Sequence, residues 1–316
     1  MDPATRAFLD RINGMHGPGI NEMPAEKGRV LLRKLQRAST PIIPADIEDR
    51  DVPGGPAGHV TVRFVRPEHS AETLPVALYL HGGGWVIGDR DTHSRIIREI
   101  ANRADVVVAF VDYSRAPEAK YPVALEESYA AMEYIARHGR DFNVDGSRLA
   151  VVGDSVGGNM GPALSLLARQ RDGPRIGCQV LLNPVTDAGF DTPSYRQFAR
   201  GYWLTREAMM WFWDQCIPDK AVRRQPLASP LLATVDQLKG FPPTLVVTGE
   251  LDILRDEGEA FARRLAEAGV ETVAVRFIGA IHDFMMLEAL ADTPSARGCI
   301  DLTCDMLRHT FKTRNG

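Results

Sequence analysis

The 316-residue sequence lacks the features that mark several large classes of protein. Its four cysteines show neither the spacing of a zinc site nor the density of a disulfide-stapled domain. They are Cys178, Cys216, Cys299 and Cys304. We interpret them as free thiols in a reducing compartment, and we therefore expect a cytoplasmic protein without a metal site.

Long hydrophobic runs and a basic charge balance are also missing. No apolar run approaches the ~20 residues that a membrane-spanning helix needs, and the first residues lack the basic and apolar regions of a secretory signal. The formal net charge is −4 and the isoelectric point is about 6.1, so nothing favours a nucleic-acid partner. The composition is ordinary for a globular protein, and the length is enough for one large α/β domain with an accessory piece.

Short apolar runs alternate with amphipathic helical patterns along most of the chain. This alternation predicts an α/β fold with a mostly parallel central sheet of about eight strands and helices on both faces. An apolar–polar alternation at residues 59–65 predicts a half-exposed antiparallel strand before the parallel ones. The other predicted strands are 75–80, 106–111, 149–152, 178–182, 244–247 and 272–277, and the main helices are 92–103, 122–138, 257–268, 295–311 and one that starts at Val156.

Two stretches do not follow the alternation. Residues 1–40 carry two short apolar stripes, which we expect to fold back as part of a helical cap; the alternative is a peripheral stabilising arm. The stripes are Phe8, Leu9, Ile12 and Met15, and then Val30, Leu31 and Leu35. Residues 188–225 carry a helix capped by Thr205 with more large apolar groups than one core can take. We therefore divide the chain into an N-terminal cap segment (1–50), a cap insertion (188–225) and two parts of a catalytic domain (51–187 and 226–316).

The most informative stretch is Gly153-Asp154-Ser155-Val156-Gly157, a G-x-S-x-G between an apolar run and a helical pattern. In this strand–turn–helix context a serine stands on a sharp turn, with its oxygen clear of the backbone at a helix N-terminus that favours negative charge. The stretch also resembles the Gly-Asp-Ser-Gly-Gly of chymotrypsin-like proteases, but in their β-barrels no helix follows the serine directly. We therefore expect Ser155 to be a nucleophile.

A serine nucleophile needs a base, and the base needs an acid that orients it. Of the eight histidines, His282 follows the last predicted strand and should lie in the same loop layer as Ser155. The candidates for the acid are Glu250, Asp252 and Asp256, which follow the preceding strand. We prefer Asp252 because it lies on the loop, whereas an acid that enters a helix ordinarily serves the helix dipole. The order of serine, aspartate and histidine is the one seen in α/β hydrolases.

A glycine triplet completes the candidate site. His81-Gly82-Gly83-Gly84 follows a predicted strand, and its glycines let backbone N–H groups point into a cleft with no side chain in the way. Together with the N–H of Val156, we expect these amides to form an oxyanion hole, in which the loss of one donor typically lowers the rate ~10²–10³-fold. A glycine triplet alone is more often a flexible turn, so its place after a strand is what makes it informative.

Taken together, these stretches resemble the bacterial hormone-sensitive-lipase family of α/β-hydrolase carboxylesterases. The stretches that match are His81-Gly82-Gly83-Gly84-Trp85, Asp112-Tyr113 with Ala116-Pro117-Glu118, Gly153-Asp154-Ser155 with Gly157-Gly158-Asn159, Asp252 with Leu254-Arg255-Asp256-Glu257-Gly258, and His282 with Phe284. The resemblance implies an α/β-hydrolase fold with a helical cap, and a cofactor-free carboxylic ester hydrolase for short- to medium-chain acyl esters. It also implies roles for six residues: nucleophile Ser155, acid Asp252, base His282, and oxyanion donors Gly83, Gly84 and Val156.

The sequence departs from the pattern of this family in several places. Val156 stands where the family usually has alanine, and its branched side chain could narrow the pocket. Asp283 replaces a glycine after the histidine, and its charge should favour the protonated imidazole. Ser114-Arg115 stands where the family has Arg-Leu, and Pro162, inside the helix that follows the nucleophile, predicts a kink.

Other functions and partners stay open at this point. The same triad could hydrolyse amides or peptides if it protonates a leaving amine, and a non-catalytic binding module could use the same fold. By their positions, we expect the substrate pocket to be lined by Trp85, Leu204, Met210 and Phe284. We expect a small-molecule ester as the partner, and an exposed edge strand near residues 272–277 could pair two chains into a homodimer.

Overall fold

An eight-stranded sheet forms the centre of the computed structural model, which describes residues 1–15, 17–37 and 42–312. The strands are β1 (Asp46–Pro53), β2 (His59–Arg66), β3 (Leu74–Leu80), β4 (Val107–Val111), β5 (Val144–Asp154), β6 (Gln179–Leu182), β7 (Thr244–Leu251) and β8 (Thr272–Ile281). Their order in the sheet is β1-β2-β4-β3-β5-β6-β7-β8. The pairs β1–β2 and β2–β4 are antiparallel, and all the other neighbours are parallel. This is the mostly parallel sheet that the sequence predicts.

The helices cover both faces of this sheet. They are α1 (Pro3–Asn13), α2 (Ala25–Leu35), α3 (Ser94–Ala104), α4 (Val123–His138), α5 (Val156–Gln170), α6 (Pro193–Gln197), α7 (Arg206–Cys216), α8 (Lys220–Arg223), α9 (Val235–Leu238), α10 (Arg255–Glu267) and α11 (Pro294–Lys312). Apolar side chains of α3 and α11 share one buried cluster, those of α4 and α5 share another, and α9 and α10 contribute to a third. Strands β3 and β4 are buried at every position because both of their faces are covered.

Strand β1 was missed in the sequence because it lacks an apolar pattern. It reads Asp46-Ile47-Glu48-Asp49-Arg50-Asp51-Val52-Pro53, and only Val52 is buried. It lies at the edge of the sheet and is held by its antiparallel ladder with β2 and by the pair between Arg63 and Asp49. Since β1 begins at Asp46, the sheet starts before the boundary at residue 50 that the sequence suggested.

The two segments predicted as a cap contact each other. The ring of Phe8 in α1 lies edge-on to that of Trp203 in the insertion, with centroids 5.3 Å apart. The side-chain amide of Asn13 donates to the carbonyl oxygen of Gly201 at 3.1 Å. Thr205 caps α7 as predicted, because its hydroxyl accepts from the N–H of Ala208 at 3.1 Å.

The apolar stripe predicted for α2 is wrong. Val30 is exposed, and Leu35 is only half-buried. The helix instead faces the rest of the molecule through Gly28, Arg29 and Leu32, because the buried guanidinium of Arg29 finds backbone carbonyls to bind. Residue 16 and residues 38–41, which fall within the predicted segment 1–50, lie outside the described ranges, as do residues 313–316 of the segment 226–316.

Two further observations concern the helices. Helix α5 runs without interruption from Val156 to Gln170 across Pro162, and the predicted kink stays a prediction. No helix in the described part of the chain has the length and apolar character that a membrane crossing requires.

Candidate active site

Ser155 stands on a tight turn between β5 and α5. Its backbone angles, a φ of 54° and a ψ of −115°, are unusual for a residue other than glycine. Its N–H donates to the carbonyl of Leu182 at 2.8 Å. The glycines on either side allow the close approach: a Cβ at Gly157 would lie 1.8 Å from the carbonyl oxygen of Leu80, and one at Gly153 would lie 2.4 Å from the backbone of Gly157. The G-x-S-x-G spacing is therefore a packing requirement of this turn.

The ends of three strands bring Ser155, Asp252 and His282 together. Oγ of Ser155 lies 3.0 Å from Nε2 of His282, and Nδ1 of His282 lies 2.8 Å from Oδ2 of Asp252. The three side chains are 1–3% exposed, so water does not compete for these contacts. This is a continuous hydrogen-bonded chain from a hydroxyl through an imidazole to a carboxylate, the arrangement that activates a serine nucleophile.

Asp252, the acid preferred from the sequence, is the carboxylate in contact with Nδ1 of the ring. The side-chain amide of Asn183 donates to its Oδ2 at 2.8 Å, and the N–H of Leu254 donates to its Oδ1 at 3.0 Å. The two alternatives are occupied elsewhere. Glu250 accepts from the N–H of Gly279, and Asp256 accepts from the N–H of Ser194, both at 2.7 Å.

The glycine loop, which is formed by residues 81–84, lies against the turn that carries Ser155, here called the nucleophile turn. Gly83 has a φ of 105° and Gly84 a φ of 64°, and a Cβ at Gly83 would lie 2.2 Å from the carbonyl oxygen of Ile87. No described residue accepts a hydrogen bond from the N–H of Gly83 or of Gly84. Val156 is the first residue of α5, where N–H groups lack an acceptor within the helix. Among the described residues, these three amides therefore have no backbone acceptor.

A buried network beneath the glycine loop was not found from the sequence. The carboxylate of Asp154 accepts from Tyr79 Oη at 2.8 Å and from the N–H of Gly82 at 3.0 Å, and it lies 3.2 Å from Nε2 of His93. Burial opposes a charge on either partner, but their mutual attraction lowers the pKa of Asp154 and raises that of His93. The aspartate of the G-D-S stretch thus ties the nucleophile turn to the glycine loop. Its place directly before Ser155 is the signal that could have pointed to it.

His81 lies within this network as a neutral ring. Burial lowers its pKa to about 3, and the neighbouring His93 acts in the same direction. Its imidazole stacks on the ring of Tyr113 with centroids 4.0 Å apart, and Nδ1 lies 2.7 Å from the carbonyl oxygen of Gly82. His81 therefore supports the loop by packing.

Helix α2 and the residue that follows it contact both the glycine loop and the loop that carries His282. Arg29 donates to the carbonyl of Val86, next to the glycine loop, at 2.8 Å and pairs with Glu118 at 2.7 Å. The side-chain amide of Gln36, just after α2, donates to the carbonyl of Met286 at 2.9 Å and accepts from the N–H of Glu288 at 3.0 Å. The loop that carries His282 is thereby joined to the N-terminal segment.

The four residues expected to line the pocket have different surroundings. Trp85 is buried beside the glycine loop, edge-on to Trp213 with centroids 5.1 Å apart, and Leu204 is half-buried in the insertion. Met210 is 36% exposed on α7. Phe284 is 1% exposed in the core cluster that α3 and α11 share, where it packs against Phe277, and its place in the pocket stays a prediction.

A pocket candidate that the sequence did not single out is Phe212. A Cβ placed at Gly84 would lie 2.1 Å from its ring, so the ring covers the glycine loop from α7. The run of large apolar groups on this helix was the available signal, but it did not show which of them faces the site. Among the described residues, no group of three or more histidine, cysteine, aspartate or glutamate side chains is placed to hold a metal ion.

Comparison with known proteins gives a consistent result. A family model described as alpha/beta hydrolase fold matches residues 77–286. The carboxylic ester hydrolase LipN of Mycobacterium tuberculosis is 36% identical over 319 residues, which cover 98% of this chain and 83% of the relative. An ethyl acetate hydrolase of Pseudomonas putida is 33% identical over 306 residues, 92% of this chain and 94% of the relative. The crystal structure of a thermostable esterase from Pseudomonas putida ECU1011 matches with a TM-score of 0.95 at 40% identity, and the match covers 98% of this chain and 97% of that one.

Proposed function

Because the chain belongs to the α/β-hydrolase family of carboxylic ester hydrolases that are similar to hormone-sensitive lipase, we propose that it hydrolyses short- to medium-chain acyl esters through an acyl-enzyme on Ser155. The observation that carries this proposal is the buried chain of contacts from Ser155 Oγ through His282 to Asp252. The amides of Gly83 and Gly84, which have no acceptor among the described residues, belong to the glycine loop beside it.

The first half of the reaction forms the acyl-enzyme. Oγ of Ser155 attacks the ester carbonyl carbon while its proton passes to Nε2 of His282. The N–H groups of Gly83, Gly84 and Val156 stabilise the negative charge on the carbonyl oxygen. As the tetrahedral intermediate collapses, the C–O bond to the alcohol breaks and His282 gives the proton to the leaving oxygen.

The second half of the reaction restores the enzyme. A water molecule gives a proton to His282 and attacks the acyl carbon, and the bond to Ser155 Oγ then breaks as the serine recovers its proton. Asp252 keeps Nδ1 protonated and stabilises the imidazolium without taking the proton itself. The carboxylate is fixed for this role by Asn183 and by the N–H of Leu254.

Two observations support a short or medium acyl chain. A cavity beside the glycine loop and the nucleophile helix, lined among others by Trp85, Asn159 and Met160, has a volume of only about 10 Å³. Such a space holds no more than a water molecule, so this cavity beside Trp85 would not admit a long acyl chain. One relative of high coverage carries the name ethyl acetate hydrolase.

We assign residues 1–50 and 188–225 to a cap over this site, and residues 51–187 and 226–316 to the catalytic domain. The contacts of Phe8 with Trp203 and of Phe212 with the glycine loop support this division. The first residues of β1, from Asp46, fall within the segment 1–50 but belong to the sheet. The cap would therefore set which esters enter, while the loops at the strand ends would carry the chemistry.

The proposal is tested by the hydrolysis of p-nitrophenyl esters from acetyl to palmitoyl by the wild type and Ser155→Ala. We expect a maximum at short or medium chains and a loss in kcat on the order of 10⁶-fold in the variant. Wild-type activity in Ser155→Ala would refute the assignment of the nucleophile, and a maximum at palmitoyl would refute the chain-length proposal. Anilides of the same acyl groups, measured in parallel, would reveal an amidase.

A further inference from the structure

Asp283 presents a second carboxylate to the imidazole of His282. Its Oδ1 lies 3.3 Å from Nε2, the same nitrogen that lies 3.0 Å from Ser155 Oγ. The opposite nitrogen, Nδ1, contacts Asp252. The ring therefore has a carboxylate at each of its nitrogens, and the nitrogen that exchanges the proton with Ser155 has two oxygens within reach.

The surroundings of Asp283 are costly for an ionised side chain. The residue is 6% exposed, has a φ of 58° in the left-handed region, and its Oδ1 accepts no hydrogen bond from a described residue. A buried carboxylate oxygen without a donor is unfavourable. The protonated imidazole of His282 places a positive charge 3.3 Å from this oxygen, which offsets part of the cost. Glycine at this position would avoid both the strain and the buried charge.

Several charged groups face this pair from the packed elements around it. They are Asp252 on the loop after β7, Asp154 at the end of β5 and His93 just before α3. Burial raises the pKa of Asp283 to about 6, with the charge of His282 opposing the rise. Burial disfavours a charged His282, but Asp252 and then Asp283 outweigh it and raise its pKa to about 9. The charge on each group therefore stabilises the charge on the other.

We infer that Asp283 is a positioning residue that strengthens His282 as a base, because its carboxylate lies 3.3 Å from Nε2 and stabilises the imidazolium by its charge. This inference rests on the proposed function, because it concerns the proton that Ser155 gives to His282. When Oγ attacks, the proton moves from Ser155 to Nε2, and Asp283 stabilises the cation until the proton passes to the leaving oxygen. When His282 is already protonated before substrate binds, Nε2 cannot accept the proton of Ser155.

The pH dependence of kcat/KM follows from this arrangement. The base must be neutral in the free enzyme, so activity should rise with pH through the raised pKa of His282, about 9. Asp283→Asn removes a negative charge next to Nε2 and keeps the shape of the side chain, and Asp283→Gly removes the side chain altogether. In both variants the acid limb of the pH profile of kcat/KM, where activity rises with pH, should move to lower pH by about one to three pH units.

The experiment compares the wild type, both Asp283 variants and Asp292→Asn with p-nitrophenyl acetate between pH 5.5 and 10.5. Asp292 is an exposed carboxylate beyond the same loop, so its variant changes the net charge alone and should keep the wild-type limb. An unmoved limb in an active Asp283→Asn or Asp283→Gly variant would overturn the inference. An acid limb of the wild-type profile at the ordinary histidine pKa of about 6.5 would overturn it as well.

A second readout does not depend on turnover or on the folding of the variants. Titration of ¹⁵N-histidine-labelled wild type by NMR should show His282 protonated at neutral pH, with its Nε2 resonance changing only in the alkaline range. A neutral His282 at pH 7 would contradict the role of Asp283. If instead Ser155→Ala kept full activity, the proposed function would fail, whichever way the limb moved.

Discussion

The loops at the strand ends and the segments that cover them are held in place by different interactions. The loops are fixed by short hydrogen bonds and by backbone approaches that only glycine allows, as at Gly157 against Leu80. Where the covering segments meet each other, aromatic rings make much of the contact, as between Phe8 and Trp203, although Arg29 and Gln36 also bind the N-terminal segment to the loops by hydrogen bonds. Hydrogen-bonded backbone tolerates little displacement, whereas apolar contacts can be repacked at a small cost. We therefore expect the chemistry to be fixed in the first region and substrate choice to be adjustable in the second.

A substitution in the glycine loop should show the larger effect. Gly83→Ala places a methyl group 2.2 Å from the carbonyl oxygen of Ile87 at a φ of 105°, so the loop must shift and an amide leaves its position. We expect kcat/KM for p-nitrophenyl acetate to fall ~10²–10³-fold, as for the loss of one oxyanion donor.

Gly58→Ala is the matched control for this change. Gly58 also has a positive φ, 85°, but nothing lies within 4 Å of the added methyl group. Thermal melts of both variants would separate instability from loss of catalysis. If a folded Gly83→Ala variant kept wild-type activity, the glycine loop would have no part in stabilising the oxyanion.

A substitution in the covering segments should show the smaller effect, and this effect should be on substrate specificity. Phe212→Leu trims the ring that lies on Gly84, so longer acyl chains should gain room beside the loop. We expect the ratio of kcat/KM for hexanoyl to that for acetyl esters to rise about tenfold, within the range that a methylene-sized change in an apolar pocket produces.

Met210→Leu on the same helix provides the comparison. Met210 was expected to line the pocket from its position in the sequence, yet its side chain is 36% exposed. The structure therefore predicts an unchanged ratio in this variant. A larger shift from Met210→Leu than from Phe212→Leu would place the specificity determinant on the other side of α7.

The same contrast explains how much the sequence revealed. The buried strands and the turn at Ser155 were predictable because local rules determine them. These rules are apolar runs between helical patterns, and glycines two residues before and after Ser155. The order of motifs along the parallel strands then placed Asp252 and His282 in one layer with Ser155. A charged edge strand such as β1 has no such local signal, because its pairing with β2 alone makes it a strand.

The features that the sequence did not reveal depend on distant parts of the chain. Which face of α2 is buried depends on the carbonyl of Val86, which Arg29 reaches across 57 positions. The core position of Phe284 depends on Phe277 and on the helices behind it. The buried pair of Asp154 and His93 joins residues 61 positions apart. Local periodicity contains no information about such contacts.

The most direct test of the central claim is to trap the nucleophile. The wild-type protein is treated with a fluorophosphonate, and the intact protein and its peptides are analysed by mass spectrometry. The account predicts one adduct per chain, on the peptide that contains Ser155, with loss of esterase activity in proportion to labelling. Labelling of a different residue, or complete labelling of Ser155 with esterase activity retained, would contradict it.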